Sequence, residues 1–290
     1  AIFDAVRANP RRVVFAEGEE EKSIRAAIAF RNAGYGTPIL IGREDRVRAA
    51  LERLGLSKTE ALEIHNAKLS TATGKYMDFI YKRLQRKGVL YRDCQRMVNQ
   101  DRNVFAACMV ALGHADAMVT GLTRNYYVAL EQITRVLDPQ PNHLVFGLTL
   151  LLAPGRTLFL SDTAVHELPS AAELAEIAIQ TAAVARQLGH EPRLALVSFS
   201  NFGNPNLPRS QMVAEAVAIL DSRKVDFEYD GEMSADVALN SELLAFYPFC
   251  RLSGPANVLI MPGLHSSHIS TNLVNELGGG TVIGPLLKGL

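Results

Sequence analysis

The sequence has few cysteines and no excess of charge of either sign. Its three cysteines, Cys94, Cys108 and Cys250, lie in unrelated contexts without a Cys-x-x-Cys pair, so we expect neither a disulfide framework nor a zinc site and predict a reducing compartment. The 30 basic residues balance the 30 acidic residues, which leaves no field to attract nucleic acid or an anionic membrane. We therefore predict a cytoplasmic protein with no nucleic-acid and no membrane partner.

Long apolar runs and several well-known motifs are also missing. The longest apolar runs, such as residues 144–153, are far shorter than the roughly 20 residues of a membrane-spanning helix. The patterns G-x-x-x-x-G-K-S/T, G-x-G-x-x-G and G-x-S-x-G are absent, which argues against nucleotide hydrolysis, Rossmann-type hydride transfer and nucleophile-elbow hydrolysis. Residues 1–4 are not a signal peptide and are typical of the middle of an amphipathic helix, so we expect a fragment of a longer protein.

Short β-branched or apolar runs alternate with longer segments of helical periodicity. This alternation is typical of a mostly parallel sheet with crossover helices. Predicted strands cover residues 12–16, 38–41, 62–65, 115–120, 145–152, 157–161, 194–198, 227–230 and 258–261. Predicted helices cover residues 20–33, 43–54, 74–87, 102–112, 126–137, 171–188, 210–220 and 266–277. The predicted fold class is α/β, and 290 residues suffice for two lobes.

A proline-containing stretch at residues 138–142 ends a helix and is the predicted domain boundary. The predicted lobes are residues 1–141 and 142–283 with a cleft between them, and we expect residues 284–290 to rejoin the first lobe. In the second lobe, the strands at 145–152 and 157–161 flank the turn sequence APGR (153–156), which predicts an antiparallel pair.

Five predicted strands are each followed by a loop that combines small residues with hydroxyl, amide or carboxylate side chains. Taken singly, such residues are usually helix caps. Because ligands bind at the carboxyl ends of parallel strands, five such loops together favour a shared cleft. The loops are residues 121–127, 162–170, 198–204, 230–236 and 262–268.

Two groups of residues have metal-ligand character, and neither predicts a metal site. His265 and His268 have helical i, i+3 spacing but no third ligand nearby. Asp230, Glu232 and Asp236 are separated by Met and Ala, which do not suit an oxygen cage. Capping and hydrogen bonding are the favoured roles.

Segments spread along the whole chain carry one combined pattern: RVVFAEGE (12–19), SDTAV (161–165), AELAEIAI (172–179), LVSFS (196–200), DGE (230–232), ANVLIMP (256–262) and IGP (283–285). They resemble the phosphate acetyltransferase/phosphate butyryltransferase family. A second set is similar to one branch, the C-terminal acetyltransferase-like domain of long NADP-dependent malic enzymes: DRNVFAA (101–107), ADAMVTGLTR (115–124), RVLDP (135–139), SFSNFG (198–203) and DGEM (230–233).

The resemblance implies a specific fold and set of partners. The family implies two α/β lobes of mostly parallel sheet with flanking helices (an isocitrate-dehydrogenase-like fold), a cleft for CoA and acetyl phosphate, and a homodimer. The malic-enzyme branch implies a regulatory domain whose ligand, acetyl-CoA, inhibits a fused upstream catalytic domain. NADP and a divalent metal would belong to that upstream domain.

The sequence departs from the transferase pattern at two loops. When Gly121 is placed on the first glycine of the family loop G-A-x-H-S/T-T-A-x-T-x-R-P-x-L, Arg124 replaces the histidine and Glu131 replaces the arginine. A carboxylate there would repel acetyl phosphate. In the second loop, the family stretch S-x-S-T-x-G-S becomes SFSNFGNP (198–205), and we expect Phe202 and Pro205 to stiffen and cover a loop that should expose its backbone N–H groups to a phosphate. The family's catalytic Ser-Arg pair and a following Asp would come after Leu290, so we assign no catalytic residue.

We therefore expect an acetyl-CoA-binding regulatory domain, with two alternatives left open. These are a working phosphate acetyltransferase and a pure assembly module. Arg124, Arg135 or the basic helices between residues 83 and 102 are expected to pair with CoA phosphates, although surface charge explains each one as well. The predicted ligand residues are Ser198, Ser200, Asn201, Phe202 and Gly203, with Arg124, Asp230 and Glu232 at the cleft.

Overall fold

In the computed structural model, residues 2–56, 62–153, 155–278 and 280–290 are described, and the N-terminal part builds a four-stranded sheet. The strand order is β3-β2-β1-β4, and all pairs are parallel. The strands are β1 (Arg11–Phe15), β2 (Gly36–Ile41), β3 (Glu63–His65) and β4 (Ala117–Val119). The helices are α1 (Ile2–Ala8), α2 (Glu21–Asn32), α3 (Glu44–Arg53), α4 (Thr73–Leu84), α5 (Tyr91–Gln100), α6 (Arg102–Ala111) and α7 (Tyr126–Thr134).

Helices cover both faces of this sheet because alternate side chains of its central strands point to opposite sides. Ile39 of β2 packs in one cluster with Tyr76 of α4 and Phe105 of α6. Its neighbour Leu40 packs in the other cluster with Ile24 of α2. All five side chains are essentially inaccessible to solvent. A strand that is buried on both faces needs consecutive apolar residues, which explains the run in β2.

The C-terminal part builds a six-stranded mixed sheet in the order β10-β5-β6-β9-β7-β8. The pairs from β6 to β8 are parallel, whereas β5 is antiparallel to both of its neighbours. The strands are β5 (Phe146–Ala153), β6 (Arg156–Ser161), β7 (Arg193–Val197), β8 (Glu228–Met233), β9 (Val258–Ile260) and β10 (Thr281–Lys288). The helices are α8 (Ala171–Gln187), α9 (Pro208–Arg223), α10 (Ala235–Leu239), α11 (Ser241–Leu244) and α12 (Leu264–Leu277).

The longest helix, α8, packs tightly because its buried face is lined with alanines. Ala175, Ala178, Ala182 and Ala185 recur at helical spacing of three or four and are fully or almost fully buried. They share one core cluster with residues of α9 and with Phe159 of the sheet. On the other face of the sheet a separate cluster is formed with α10 and α11.

The two sheets belong to separate units, Ala1–Asp138 and Pro139–Leu290. The predicted antiparallel pair is confirmed as β5 and β6; Pro154 of its predicted turn lies outside the described residues. In the described part of the chain, no helix has the length and apolar composition required to cross a bilayer.

The expectation that residues 284–290 rejoin the first lobe is wrong. These residues fall in the second unit, and β10 pairs with β5 from Thr281 opposite Leu152 to Lys288 opposite Phe146. The register shifts between Ile283 and Leu286. This irregularity accommodates the Gly-Pro pair 284–285 at the sheet edge, where the missing N–H of proline is tolerated.

Candidate functional site

The loop that follows β7 folds back onto the end of β8. The N–H of Ser198 donates to the carbonyl oxygen of Met233 (2.9 Å), and the N–H of Phe202 donates to the carbonyl oxygen of Glu232 (2.8 Å). Because β7 and β8 are adjacent and parallel, their carboxyl ends meet at one edge of the sheet. Seven of the eight predicted ligand residues therefore lie in neighbouring segments of the second unit.

Glu232 organises this loop through one of its two carboxylate oxygens. Its residue surface is only 2% exposed, and Oε1 accepts hydrogen bonds from Ser200 Oγ (3.0 Å) and from the N–H of Gly203 (2.6 Å). From the described residues, Oε2 receives no hydrogen bond. Ser200 is fully buried, so its hydroxyl supports the carboxylate and does not reach a ligand directly.

The remaining polar groups of the loop bind one another. Asn201 Oδ1 accepts hydrogen bonds from the N–H (2.8 Å) and the hydroxyl (3.1 Å) of Ser234. The backbones of Asn201 and Asn204 exchange two hydrogen bonds of 3.0 and 3.2 Å. Together with the bonds to Glu232, these contacts use every backbone N–H from position 201 to position 204.

Phe202 presents an aromatic surface beside the loop. Its backbone has a φ of 50°, an unusual left-handed conformation for a residue with a large side chain. The ring lies 5.1 Å from the ring centre of Tyr247 and 4.9 Å from that of Phe249. Such edge-to-face and tilted pairs are favourable for aromatic rings, and Phe249 is largely exposed.

A shallow cavity of about 760 Å³ that is wide open to solvent lies next to these residues. Phe202, Gly203 and Glu232 line it together with the face of α9 that extends from Ser210 to Ala218. No lysine, arginine or histidine is found among the lining residues that the structure describes. Three predicted ligand residues thus share one concave surface.

Asp230 has a different environment from Glu232 and is not part of the described cavity lining. Its Oδ2 accepts the N–H of Arg251 (2.8 Å), and its Oδ1 accepts the guanidinium of Arg251 (3.1 Å). The same guanidinium also binds Asp221 (2.5 Å) and stacks 4.6 Å from the ring centre of Tyr229. Burial would lower the pKa of Arg251, but the hydrogen bonds to both carboxylates outweigh burial and raise it.

Arg124, the eighth predicted ligand residue, lies in the first unit, in the loop before α7. It is exposed and forms no hydrogen bond or ion pair with the residues that the structure describes. The preceding loop is held by Glu17, which is 3% exposed and accepts the N–H groups of Gly121 (2.8 Å), Leu122 (2.7 Å) and Thr123 (2.7 Å). Glu17 therefore fixes the backbone that presents Arg124, a role that the sequence analysis missed.

Glu131, which was expected to invert the charge near the acetyl phosphate site, is exposed on α7. It forms an ion pair of 2.5 Å with Arg135, one turn later. At such exposure the pair contributes about 0.5 kcal/mol or less to stability. The carboxylate at this position is thus already partnered by an arginine.

A buried Asp–His pair at the end of β6 was also missed. Asp162 is 2% exposed and accepts the N–H groups of Gly147 (2.8 Å) and Ala164 (2.7 Å) and the Nδ1 of His166 (2.7 Å). Burial would raise the pKa of Asp162, but the hydrogen bond from His166 and those from the backbone outweigh it and lower the pKa. The hydrogen bond to Asp162 raises the pKa of His166. Because Asp162 and His166 lie in a loop and not on a helix, no local periodicity in the sequence indicated this pair.

The first unit contains a second cavity, of about 660 Å³, in which Arg12, Glu63 and His65 are paired with one another. Arg12 binds both carboxylate oxygens of Glu63 at 3.0 Å, and His65 Nε2 lies 2.8 Å from the same carboxylate. The Tyr76 hydroxyl lies 2.6 Å from His114 Nδ1, and burial raises the pKa of Tyr76 to about 12. The hydroxyl is therefore neutral at physiological pH.

The whole chain, residues 1–290, matches the family model described as phosphate acetyl/butaryl transferase. The chain belongs to this family. It is 57% identical over 290 residues to an NADP-dependent malic enzyme of Rhizobium meliloti (strain 1021), a match that covers 100% of this chain and 38% of that protein. It is 31% identical over 299 residues to a phosphate acetyltransferase of Clostridium acetobutylicum, covering 100% of this chain and 89% of that protein.

Solved structures give the same result for the fold of this phosphate acetyl/butaryl transferase family member. A phosphotransacetylase from Streptococcus pyogenes matches with a TM-score of 0.88 at 28% identity, covering 100% of this chain and 89% of that chain. The predicted family and α/β fold are confirmed. The chain spans only 38% of the length of the R. meliloti malic enzyme.

No group of three or more His, Cys, Asp or Glu residues in the described part of the chain is placed to hold a metal ion.

Proposed function

We propose that this chain is an acetyl-CoA-binding regulatory domain of an NADP-dependent malic enzyme and that it also assembles a homo-oligomer. The 57% identity to part of a malic enzyme supports its place in a larger protein. Oxidative decarboxylation of malate to pyruvate, with its NADP and divalent metal, belongs in this proposal to an upstream catalytic domain. CoA and acetyl-CoA are the ligands of the domain described above.

The hydrogen bonding of residues 201–204, in the loop after β7, is the observation that favours binding over catalysis. A transferase must stabilise the negative charge of acetyl phosphate with donors that are free to face it. The N–H groups of Asn201, Phe202, Gly203 and Asn204 all donate to acceptors of the same unit instead. The donors of this loop segment are therefore not available to a phosphate dianion.

Regulation requires that acetyl-CoA bind one arrangement of the protein more tightly than another, because a ligand shifts an equilibrium only through its differential affinity. Ser198, Phe202, Gly203 and Glu232 are the proposed contacts in the second unit, and Arg124 is the proposed partner of a CoA phosphate. The remaining predicted residues support them: Ser200 and Asn201 hold the loop, and Asp230 holds Arg251.

Isothermal titration of the chain with acetyl-CoA, and with CoA as the matched comparison, tests the proposal. We expect saturable binding of acetyl-CoA below millimolar concentration. In the intact malic enzyme, the same ligand should change the rate of malate oxidation. If neither ligand binds at millimolar concentration, the regulatory proposal fails and assembly is the surviving role.

A second candidate, an active phosphate acetyltransferase, is favoured by the match to the C. acetobutylicum enzyme, which covers the whole chain. In that reaction the CoA thiolate attacks the carbonyl carbon of acetyl phosphate, a thioester bond forms, the C–O bond to phosphate breaks, and phosphate leaves. Thioester formation from CoA and acetyl phosphate, followed at 233 nm, decides between the two functions. Robust turnover by the intact protein would overturn the regulatory proposal.

A further inference from the structure

We propose that the cavity beside Glu232 receives an uncharged part of the ligand and that Glu232 Oε2 accepts a hydrogen bond from it. This inference rests on the proposed binding of acetyl-CoA and specifies which chemistry of that molecule enters the second unit. The phosphate groups then lie outside the cavity.

The unfilled acceptor is the first observation. Oε1 of Glu232 accepts two hydrogen bonds, from Ser200 and Gly203, while Oε2 accepts none from the described residues. The residue is 98% shielded from solvent yet contributes to the cavity wall. A carboxylate oxygen accepts hydrogen bonds, and Oε2 is not among the buried side-chain atoms that lack a partner, so it is accessible to a donor from outside the protein. A ligand that brings an N–H or O–H group can therefore bind it.

The charge of the cavity is the second observation. Its described lining contains two acidic residues, Glu215 and Glu232, two amides, Asn206 and Gln211, and no cation. A phosphate group placed among these carboxylates would be repelled, because no cation compensates its charge. The lining therefore selects against phosphate and in favour of a neutral hydrogen-bond donor.

Small side chains on α9 leave room for such a group. Ala214 and Ala218 are one helical turn apart and both line the cavity, so a ligand approaches the helix closely. Phe202 adds an aromatic ring to the wall. Acetyl-CoA has two uncharged, donor-bearing parts that suit this surface, the pantetheine arm with its amides and hydroxyl, and the adenine ring with its amino group.

Glu232→Gln tests the acceptor directly. The glutamine oxygen can replace Oε1 and keep the bonds from Ser200 and Gly203, which leaves an NH2 group facing the cavity where an acceptor had been. We expect acetyl-CoA to bind the variant about ten- to one-hundred-fold more weakly, the loss typical of a hydrogen bond to a charged partner. Glu242→Gln, an exposed change outside the cavity lining, should bind like the unaltered protein.

Ser200→Ala separates the ligand contact from support of the loop. It removes the hydroxyl that donates to Oε1 but leaves Oε2 in place, so we expect a loss of about three-fold or less. Equal losses in Ser200→Ala and Glu232→Gln would show that the carboxylate only supports the loop, which would overturn the inference. Urea unfolding of each variant confirms that the second unit is folded during the titrations.

Titrations with ligand fragments identify the part that enters. Acetyl-pantetheine and adenosine 3′,5′-bisphosphate are each titrated into the unaltered protein and into Glu232→Gln. The fragment whose affinity falls in the variant is the one that donates to Oε2. If acetyl-CoA binds the unaltered protein but Glu232→Gln lowers the affinity of neither acetyl-CoA nor a fragment, the inference is wrong and the proposed function stands. If acetyl-CoA does not bind the unaltered protein, both are overturned.

Discussion

A single buried carboxylate holds the loop before α7, and Glu17→Gln measures its contribution. Oε2 of Glu17 accepts the N–H groups of Gly121 and Leu122, and Oε1 accepts the N–H and the hydroxyl of Thr123. Glutamine keeps the shape of the side chain but replaces one oxygen with an NH2 group, which cannot accept a hydrogen bond. Whichever way the amide lies, two of the four donors lose their acceptor.

The expected loss of stability follows from these two donors. A hydrogen bond to a charged group contributes about 1.5–3 kcal/mol, but Gly121, Leu122 and Thr123 are exposed, so water can replace part of what the carboxylate provides. We therefore expect Glu17→Gln to lower the free energy of unfolding by about 1–3 kcal/mol, a substantial part of the roughly 5–15 kcal/mol of a typical domain. The matched control, Glu21→Gln, removes an exposed i, i+4 pair with Arg25 and should cost about 0.5 kcal/mol or less.

The pH dependence gives an independent check of the same carboxylate. Burial would raise the pKa of Glu17, but the hydrogen bonds from Thr123 and from the backbone outweigh burial and lower the pKa below its ordinary value of 4.5. The stabilisation is thus fully present above the pKa of the unfolded chain and is lost as pH falls through the lower folded value. The difference between the unaltered protein and Glu17→Gln should therefore shrink on acidification.

Urea unfolding at pH 7 and at several pH values between about 5 and 3 measures both effects. Hydrogen exchange at Gly121, Leu122 and Thr123 reports the loop itself, and we expect faster exchange at these amides in Glu17→Gln. A change below about 0.5 kcal/mol at pH 7, or a difference that grows as pH falls, would refute the assigned role of Glu17.

Two further predictions concern other parts of the fold. Asp162→Asn should lower the pKa of His166, because the carboxylate raises that pKa through a 2.7 Å hydrogen bond. NMR titration of the His166 ring measures the change, and an unchanged pKa would contradict the pairing. The stabilisation from this pair is present below the unfolded pKa of the histidine and is lost as pH rises through the folded value. Gly36→Ala should destabilise the first unit by about 2 kcal/mol more than Gly55→Ala in urea unfolding. Both glycines have positive φ, but a Cβ at Gly36 would lie 1.8 Å from the carbonyl oxygen of Arg11, whereas a Cβ at Gly55 would have nothing within 4 Å. Equal losses of unfolding free energy in the two variants would show that the backbone at Gly36 relaxes to remove this contact.

The sequence predicted the elements whose local pattern agrees with their burial. Strand β2 is an apolar run because it is buried on both faces, and α8 has apolar residues at helical spacing along its buried face. Strand β10 was missed because Gly284 and Pro285 interrupt its pattern. Basic helices were expected between residues 83 and 102, but α5 was given no bounds because only Cys94 and Val98 are buried in an otherwise polar segment.

At the candidate site, the sequence placed several side chains in one predicted cleft but did not separate their environments within the fold. Glu232 and Asp230 belong to one short motif and were given the same role, yet one faces a cavity and the other binds Arg251. In a regular strand, residues two apart share a face, but the register of β7 and β8 shifts after Gly231, so that Met233 and not Glu232 lies opposite Val197. This irregularity breaks the alternation between Asp230 and Glu232.

The sequence by itself determined the family, the α/β class, the balanced charge and the loops at the strand ends, because these follow from residue type and local periodicity. The tertiary structure decided which donors meet which acceptors. Glu17 binds a loop that lies 104 to 106 positions further along the chain, and Glu232 binds Ser200, which is 32 positions away. Contacts at such separations depend on strand order and register, so only the folded chain shows that Oε1 of Glu232 accepts two hydrogen bonds while Oε2 receives none from the described residues.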